Sequence, residues 1–151
     1  MFHVVLWRPE IPPNTGNLMR LTVNTGCRLH LIEPLGFDID DARLRRAGLD
    51  YREFADVATY PTFEAFLEQM RPTRVFAFTQ HAETLYTDLA YEPGDVLLLG
   101  RESDGLSEDV LTSDAVTERA RIPIAAGGRS LNLANAAAIA VYEAWRQNNF
   151  R

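Results

Sequence analysis

Arg121-Ile-Pro-Ile-Ala-Ala-Gly-Gly-Arg-Ser-Leu-Asn-Leu-Ala-Asn135, running on into Ala136 through Arg146, decides how the rest of the chain is read. It opens as a short apolar strand, passes through Gly127-Gly128, and enters a helix. The middle of that helix, Leu133 to Trp145, is apolar almost all the way round. A helix without a polar face is buried on every side. One sheet in a chain of 151 residues does not cover such a helix, so a second copy is expected to cover the rest. The expectation is a homodimer through the C-terminal helix, with Tyr142 and Trp145 in the contact. Polar residues gather only at the helix start, as Ser130, Asn132 and Asn135. Ser130 has two readings there. It can cap free backbone N–H groups, or, with glycines that let a ligand approach, it can belong to a binding site.

Working outward, Val96 to Leu99 is a fully apolar strand running into Gly100-Arg-Glu-Ser-Asp-Gly-Leu106, with a short helix expected over Ser107 to Leu111. Gly100 at a strand end lets a nucleoside lie on the backbone. Glu102 reads either as a site carboxylate or as a cap for the short helix. At the other end of the chain, Phe2 to Trp7 is a buried strand. After it, the prolines are expected to keep Glu10 to Pro13 out of the following helix. Asn14 or Thr15 would cap that helix and Gly26 would end it. This places Asn14, Asn17 and Arg20 near the carboxyl edge of the first strand, where open α/β sheets bind ligands. The loop has only Gly16, so the Gly-x-Gly-x-x-Gly of a dinucleotide site is absent and a nicotinamide or flavin cofactor is disfavoured.

Between these ends come a strand over Arg28 to Ile32 and a charged helix over Asp38 to Ala47 carrying Arg43, Arg45 and Arg46. Tyr51, Phe54 and Val57 suggest a short strand before Tyr60. A helix capped by Thr62 and a strand over Arg74 to Thr79 follow, then an irregular piece over His81 to Leu89 and a turn at Glu92 to Asp95. Strands alternating with helices predict a single α/β domain over 1–151, with a mainly parallel sheet flanked by helices.

Composition narrows the class. No apolar run approaches a membrane span. One cysteine, Cys27, excludes an intrachain disulfide and fits a reducing, cytoplasmic setting. The net charge of -6 argues against a general nucleic-acid binder. All 15 basic residues are arginine, however, and arginine is the better bidentate partner for phosphate. No His/Cys/carboxylate cluster suggests a metal.

Three of these stretches, in order, resemble a known family. Pro12-Pro-Asn-Thr-Gly-Asn17 with Arg20, Leu99-Gly-Arg-Glu102 with Gly105-Leu106, and Ile122-Pro-Ile through Arg129-Ser-Leu-Asn-Leu-Ala-Asn135 resemble the three motifs of the SpoU branch of the SPOUT superfamily of RNA methyltransferases. The resemblance covers nearly the whole chain and is nearest to the small single-domain, TrmL-type subfamily. It implies a C-terminal trefoil knot, which chain-connection rules alone would not predict. It implies S-adenosylmethionine as methyl donor, bound by Phe78, Gly100, Ile122, Ser130 and Leu131, with Phe78 carried by position only. It implies tRNA as partner, with transfer to the 2′-hydroxyl of wobble nucleotide 34, cytidine or a modified uridine, of tRNA-Leu. Arg20 would act at the ribose, with Asn14, Glu102, Ser130 and Asn132 holding substrate and ordering the loops. Another tRNA position, a ribosomal RNA, or a non-catalytic RNA-binding role remain the alternatives.

Overall fold

The computed structural model describes residues 1–40, 42, 46 and 57–151. Six strands form one sheet in the order β3-β2-β1-β5-β4-β6. They are β1 (His3–Trp7), β2 (Arg28–Ile32), β3 (Val57–Tyr60), β4 (Val75–Phe78), β5 (Val96–Leu99) and β6 (Glu118–Ala120). Every pairing between them is parallel. Helices lying wholly within the described residues are α1 (Pro12–Thr25), α2 (Phe63–Met70), α3 (Glu108–Leu111) and α4 (Leu133–Gln147).

A parallel sheet needs cover on both faces, and the strands alternate accordingly. Val4, Leu6, Leu29, Leu31, Phe76, Leu97 and Leu99 enter one core with Leu18 and Met19 of α1 and Ala137, Ala140, Val141 and Ala144 of α4. Val5, Trp7, Ile32, Val75, Ala77, Val96 and Leu98 enter the other, with Phe63 and Phe66 of α2 and Val110 of α3. The alanines of α4 leave room for close approach, and α4 packs against both α1 and β5. Its outer side carries Tyr142 at 47% exposure, and Tyr142 and Trp145 make an edge-to-face ring pair. Within one chain the helix is therefore covered on one side, not on all.

Local sequence accounts for most boundaries. Gly26 closes α1 with φ 69°, a conformation that favours glycine. Thr62 caps α2 as expected, its hydroxyl accepting from the Ala65 N–H at 3.1 Å. Cys27 is buried between α1 and β2.

Four expectations are corrected. Pro12 and Pro13 lie inside the first turn of α1, because that turn has no use for their missing N–H groups. Neither Asn14 nor Thr15 caps the helix; Ile11 stands at that position without a side-chain bond. The strand before the last loop is Glu118–Ala120, upstream of the apolar run. Arg121 adds a single bridge to Leu85, and Pro123 has no N–H to continue the ladder. Asp38 is not helical: its carboxylate accepts from the Asp40 N–H at 3.0 Å, an Asx turn. Arg46 is helical and exposed, while Arg43, Arg45, Tyr51 and Phe54 lie outside the described residues.

Candidate active site

Strand order runs outward in both directions from the β1–β5 boundary, and ligands of open α/β sheets bind outside the carboxyl ends at such a switch point. A cleft of about 730 Å³ opens there. Its walls come from segments far apart in sequence: Ile11 and Asn14 of the first loop and helix, Phe78 to His81 after β4, Leu99 to Leu106 after β5, Ile122 after β6, and Ser130 to Leu133 at the start of α4.

A hydrogen-bonded clasp joins three of these segments. Asn132 is the N-cap of α4, its Oδ1 accepting from Ala134 N at 2.9 Å and Asn135 N at 3.3 Å. Its amide donates to Asn14 Oδ1 at 2.8 Å. The buried Asn14 in turn donates to Glu102 Oε1 at 3.1 Å. Glu102 also accepts from the backbone N–H groups of Glu10 at 2.7 Å and Ile11 at 3.0 Å. A carboxylate is thus seated at the start of α1, where backbone donors and the helix dipole favour negative charge. Glu10 reciprocates, accepting from Ser103 N at 3.0 Å and Ser103 Oγ at 3.1 Å. Beside it, a bidentate bond from Arg101 holds the Asp104 carboxyl below its usual range.

The structure therefore assigns these side chains differently from the sequence in three respects. Glu102 holds α1 and its preceding loop, not the short helix α3, because folding brings residue 10 nearer to it than residue 108. Asn132, not Ser130, caps α4; Ser130 lies two residues too early and faces the cleft. Gly100 is explained by its own loop: an added Cβ would stand 2.1 Å from the Gly105 carbonyl carbon. Arg101 and Gly105 bridge across that turn, with Gly105 N donating to Arg101 O at 2.9 Å.

All five residues expected to hold the donor, Phe78, Gly100, Ile122, Ser130 and Leu131, line the cleft, together with Asn14, Glu102 and Asn132. Arg20 does not. It is exposed on α1, six residues beyond Asn14, about 9 Å along the helix axis. Thr79, Gln80 and His81 line the cleft without having been singled out. The signal available was their position immediately after β4, on the ligand-binding edge. Among the described residues, no group of His, Cys, Asp and Glu is placed to hold a metal ion, and no helix is long and apolar enough to cross a membrane.

The cleft joins an apolar floor of Phe78, Leu99, Ile122 and Leu133 to a polar rim, within the size range of sites for small organic ligands. Known proteins resemble this chain over nearly its whole length. The chain is 56% identical over 147 residues to a tRNA (cytidine(34)-2'-O)-methyltransferase of Aeromonas hydrophila, covering 97% of this chain and 94% of the relative. A solved structure concerning 2-OH methylation of C/U34 on tRNA superposes with TM-score 0.91 at 46% identity, covering 100% of this chain and 98% of the other. An AdoMet-bound rRNA methyltransferase from Sinorhizobium meliloti superposes with TM-score 0.84 at 29% identity, covering 96% of this chain and 56% of the other. Residues 1–142 match the model of the SpoU rRNA Methylase family, so the chain belongs to that family.

Proposed function

We infer that this chain transfers a methyl group from S-adenosylmethionine to the ribose 2′-oxygen of nucleotide 34, a cytidine or modified uridine, of tRNA-Leu. The observation that carries the reading is the meeting of all three motifs around one cleft, in a chain 56% identical over nearly its full length to a tRNA (cytidine(34)-2'-O)-methyltransferase. Phe78, Ile122 and Leu131 offer apolar contact to the donor's adenosine, and Ser130 and the Gly100 backbone offer polar contact. The donor supplies a methyl group on a positively charged sulfonium.

The acceptor hydroxyl is a weak acid, so its proton must be taken up or its developing charge stabilised. Arg20 is assigned to position and polarise that hydroxyl; a guanidinium stays protonated and makes a poor base. Asn14, Glu102 and Asn132 already spend their hydrogen bonds on one another, which supports a role in ordering the loops, while Ser130 is left facing the cleft.

The reading includes a homodimer through α4 in the cytoplasm, supported by the exposed Tyr142 beside Trp145. It also includes the trefoil knot. In its favour, β6 lies at the sheet edge, yet α4, which follows, packs back on β5, two strands inward.

Methyl transfer from labelled S-adenosylmethionine to tRNA from a strain lacking this protein is the test. Label at the 2′-oxygen of nucleotide 34 in tRNA-Leu is expected. Label in ribosomal RNA, the substrate class in the family's description, would replace the substrate. Arg20→Ala is expected to slow transfer by about 10²–10³-fold with folding and donor affinity intact, the size of effect seen when one transition-state donor is removed. Unchanged turnover would remove that role. A stable monomer by light scattering at micromolar concentration would remove the dimer.

A further inference from the structure

We propose that Arg8, held over the Trp7 ring beside Arg101 of the cleft wall, is a docking point for a backbone phosphate of the RNA substrate; the inference rests on the RNA methyltransferase reading. β1 and β5 are paired with Leu6 level with Leu99. Beyond that pair the two strands run into Trp7-Arg8 and Gly100-Arg101. Both guanidiniums gather on Trp7, Arg8 at 4.7 Å and Arg101 at 5.5 Å from the ring centroid.

Arg8 reaches that position at a cost. Its φ is 53°, a left-handed conformation unfavourable for any residue with a Cβ, and it precedes Pro9, which disfavours helical geometry further. In an extended strand, neighbouring side chains point to opposite faces. The left-handed turn instead folds the Arg8 side chain back over its neighbour's ring. The Arg8 N–H still donates to Ile32 O at 2.9 Å, so the turn is anchored to the sheet.

The charges around it are unevenly matched. Arg101 is paired with Asp104, Glu10 is bonded to Ser103, and Glu102 accepts three hydrogen bonds. Among the described residues no carboxylate pairs with the exposed Arg8. An exposed guanidinium held over a ring and next to a residue of the cleft wall, in a chain of net charge -6, suits a bidentate anion. Trp7 itself is only 6% exposed, so its ring is closed to a stacking base, which favours phosphate over nucleobase.

The test uses Arg8→Gly and Arg8→Lys, with tRNA as the probe and affinity measured across a salt series. Glycine adopts the left-handed turn freely, so the Gly variant removes the guanidinium without straining the fold. Expected for Arg8→Gly are an unlowered Tm, an unchanged donor Kd, and a tRNA Kd raised about tenfold. The slope of log affinity against log salt should fall in magnitude by about 1. Arg8→Lys restores the slope and part of the affinity. Unchanged tRNA affinity in Arg8→Gly overturns the proposal. So does a loss that is equal at every salt concentration, which would mark a packing role. Wild-type protein that binds no tRNA overturns the methyltransferase reading first, and this inference with it.

Discussion

Two of the polar networks among the described residues differ in what they connect. The clasp at the carboxyl edge, Asn132–Asn14–Glu102, joins residues up to 118 positions apart and borders an open cleft. The second links neighbouring strands under α2: His3 Nδ1 lies 2.9 Å from His30 Nε2, and His30 Nδ1 lies 3.0 Å from the Tyr60 hydroxyl. There the rings of His30, Tyr60 and Phe66 pack edge to face or tilted, and none of these residues lines the cleft at the β1–β5 boundary. Both networks obey the rule that buried polar groups need partners. Of the two, the first borders the cleft to which methyl transfer is assigned, so it is the one the proposed chemistry draws on. A buried polar chain is not by itself a site; its place in the topology decides.

Breaking the clasp should cost most. Glu102→Ala removes the acceptor of three hydrogen bonds and strands the buried Asn14 amide. It is expected to lower stability by about 3 kcal/mol by urea denaturation, and to abolish detectable methyl transfer. Retained activity would show that the clasp is not needed for the cleft.

The histidine chain should answer to pH instead. Burial, with smaller contributions from His3 and Arg28, pushes the His30 imidazole down from 6.5 to about 4. Burial, with Arg28 and the N-terminus, lowers His3 as well. The unfolded chain therefore takes up protons first as pH falls. Stability is fully present above about pH 6.5 and is lost toward pH 4, by up to about 3 kcal/mol for His30. Urea midpoints across that window should fall in the wild type and flatten in His30→Phe; parallel curves would contradict the assignment.

Two smaller changes sharpen the contrast. Asn132→Ala removes the cap of α4 and its tie to Asn14, for about 1–2 kcal/mol and a weaker donor Kd measured by calorimetry. Tyr60→Phe removes one hydrogen bond, for about 1 kcal/mol in thermal melts, with donor affinity unchanged. If Tyr60→Phe weakened donor binding, the two networks would be coupled and the comparison would fail.

Much of the fold is legible in the chain because short-range chemistry sets it. Apolar runs such as Val96 to Leu99 become buried strands, Gly26 ends a helix, and Thr62 starts one. Some errors are local, as at Pro12, Pro13 and Asp38, but those at the cleft fall where distant partners overrule local preference. Asn14 and Glu102 read as caps by their neighbours, yet their hydrogen bonds go to each other across 88 positions. The cleft residues Thr79 to His81 carry no motif, so nothing local marks them.

By itself the sequence determined the alternation of elements, the parallel sheet covered on both faces, and the three motifs that identify the family, because each is written in residues close together along the chain. The tertiary structure alone decided which motif residues meet. It drew Glu102 to the start of α1 and bonded Asn132 to Asn14. Those outcomes depend on strand order and register. They bring together groups about 90 or more residues apart, and no local pattern in the chain encodes such distances.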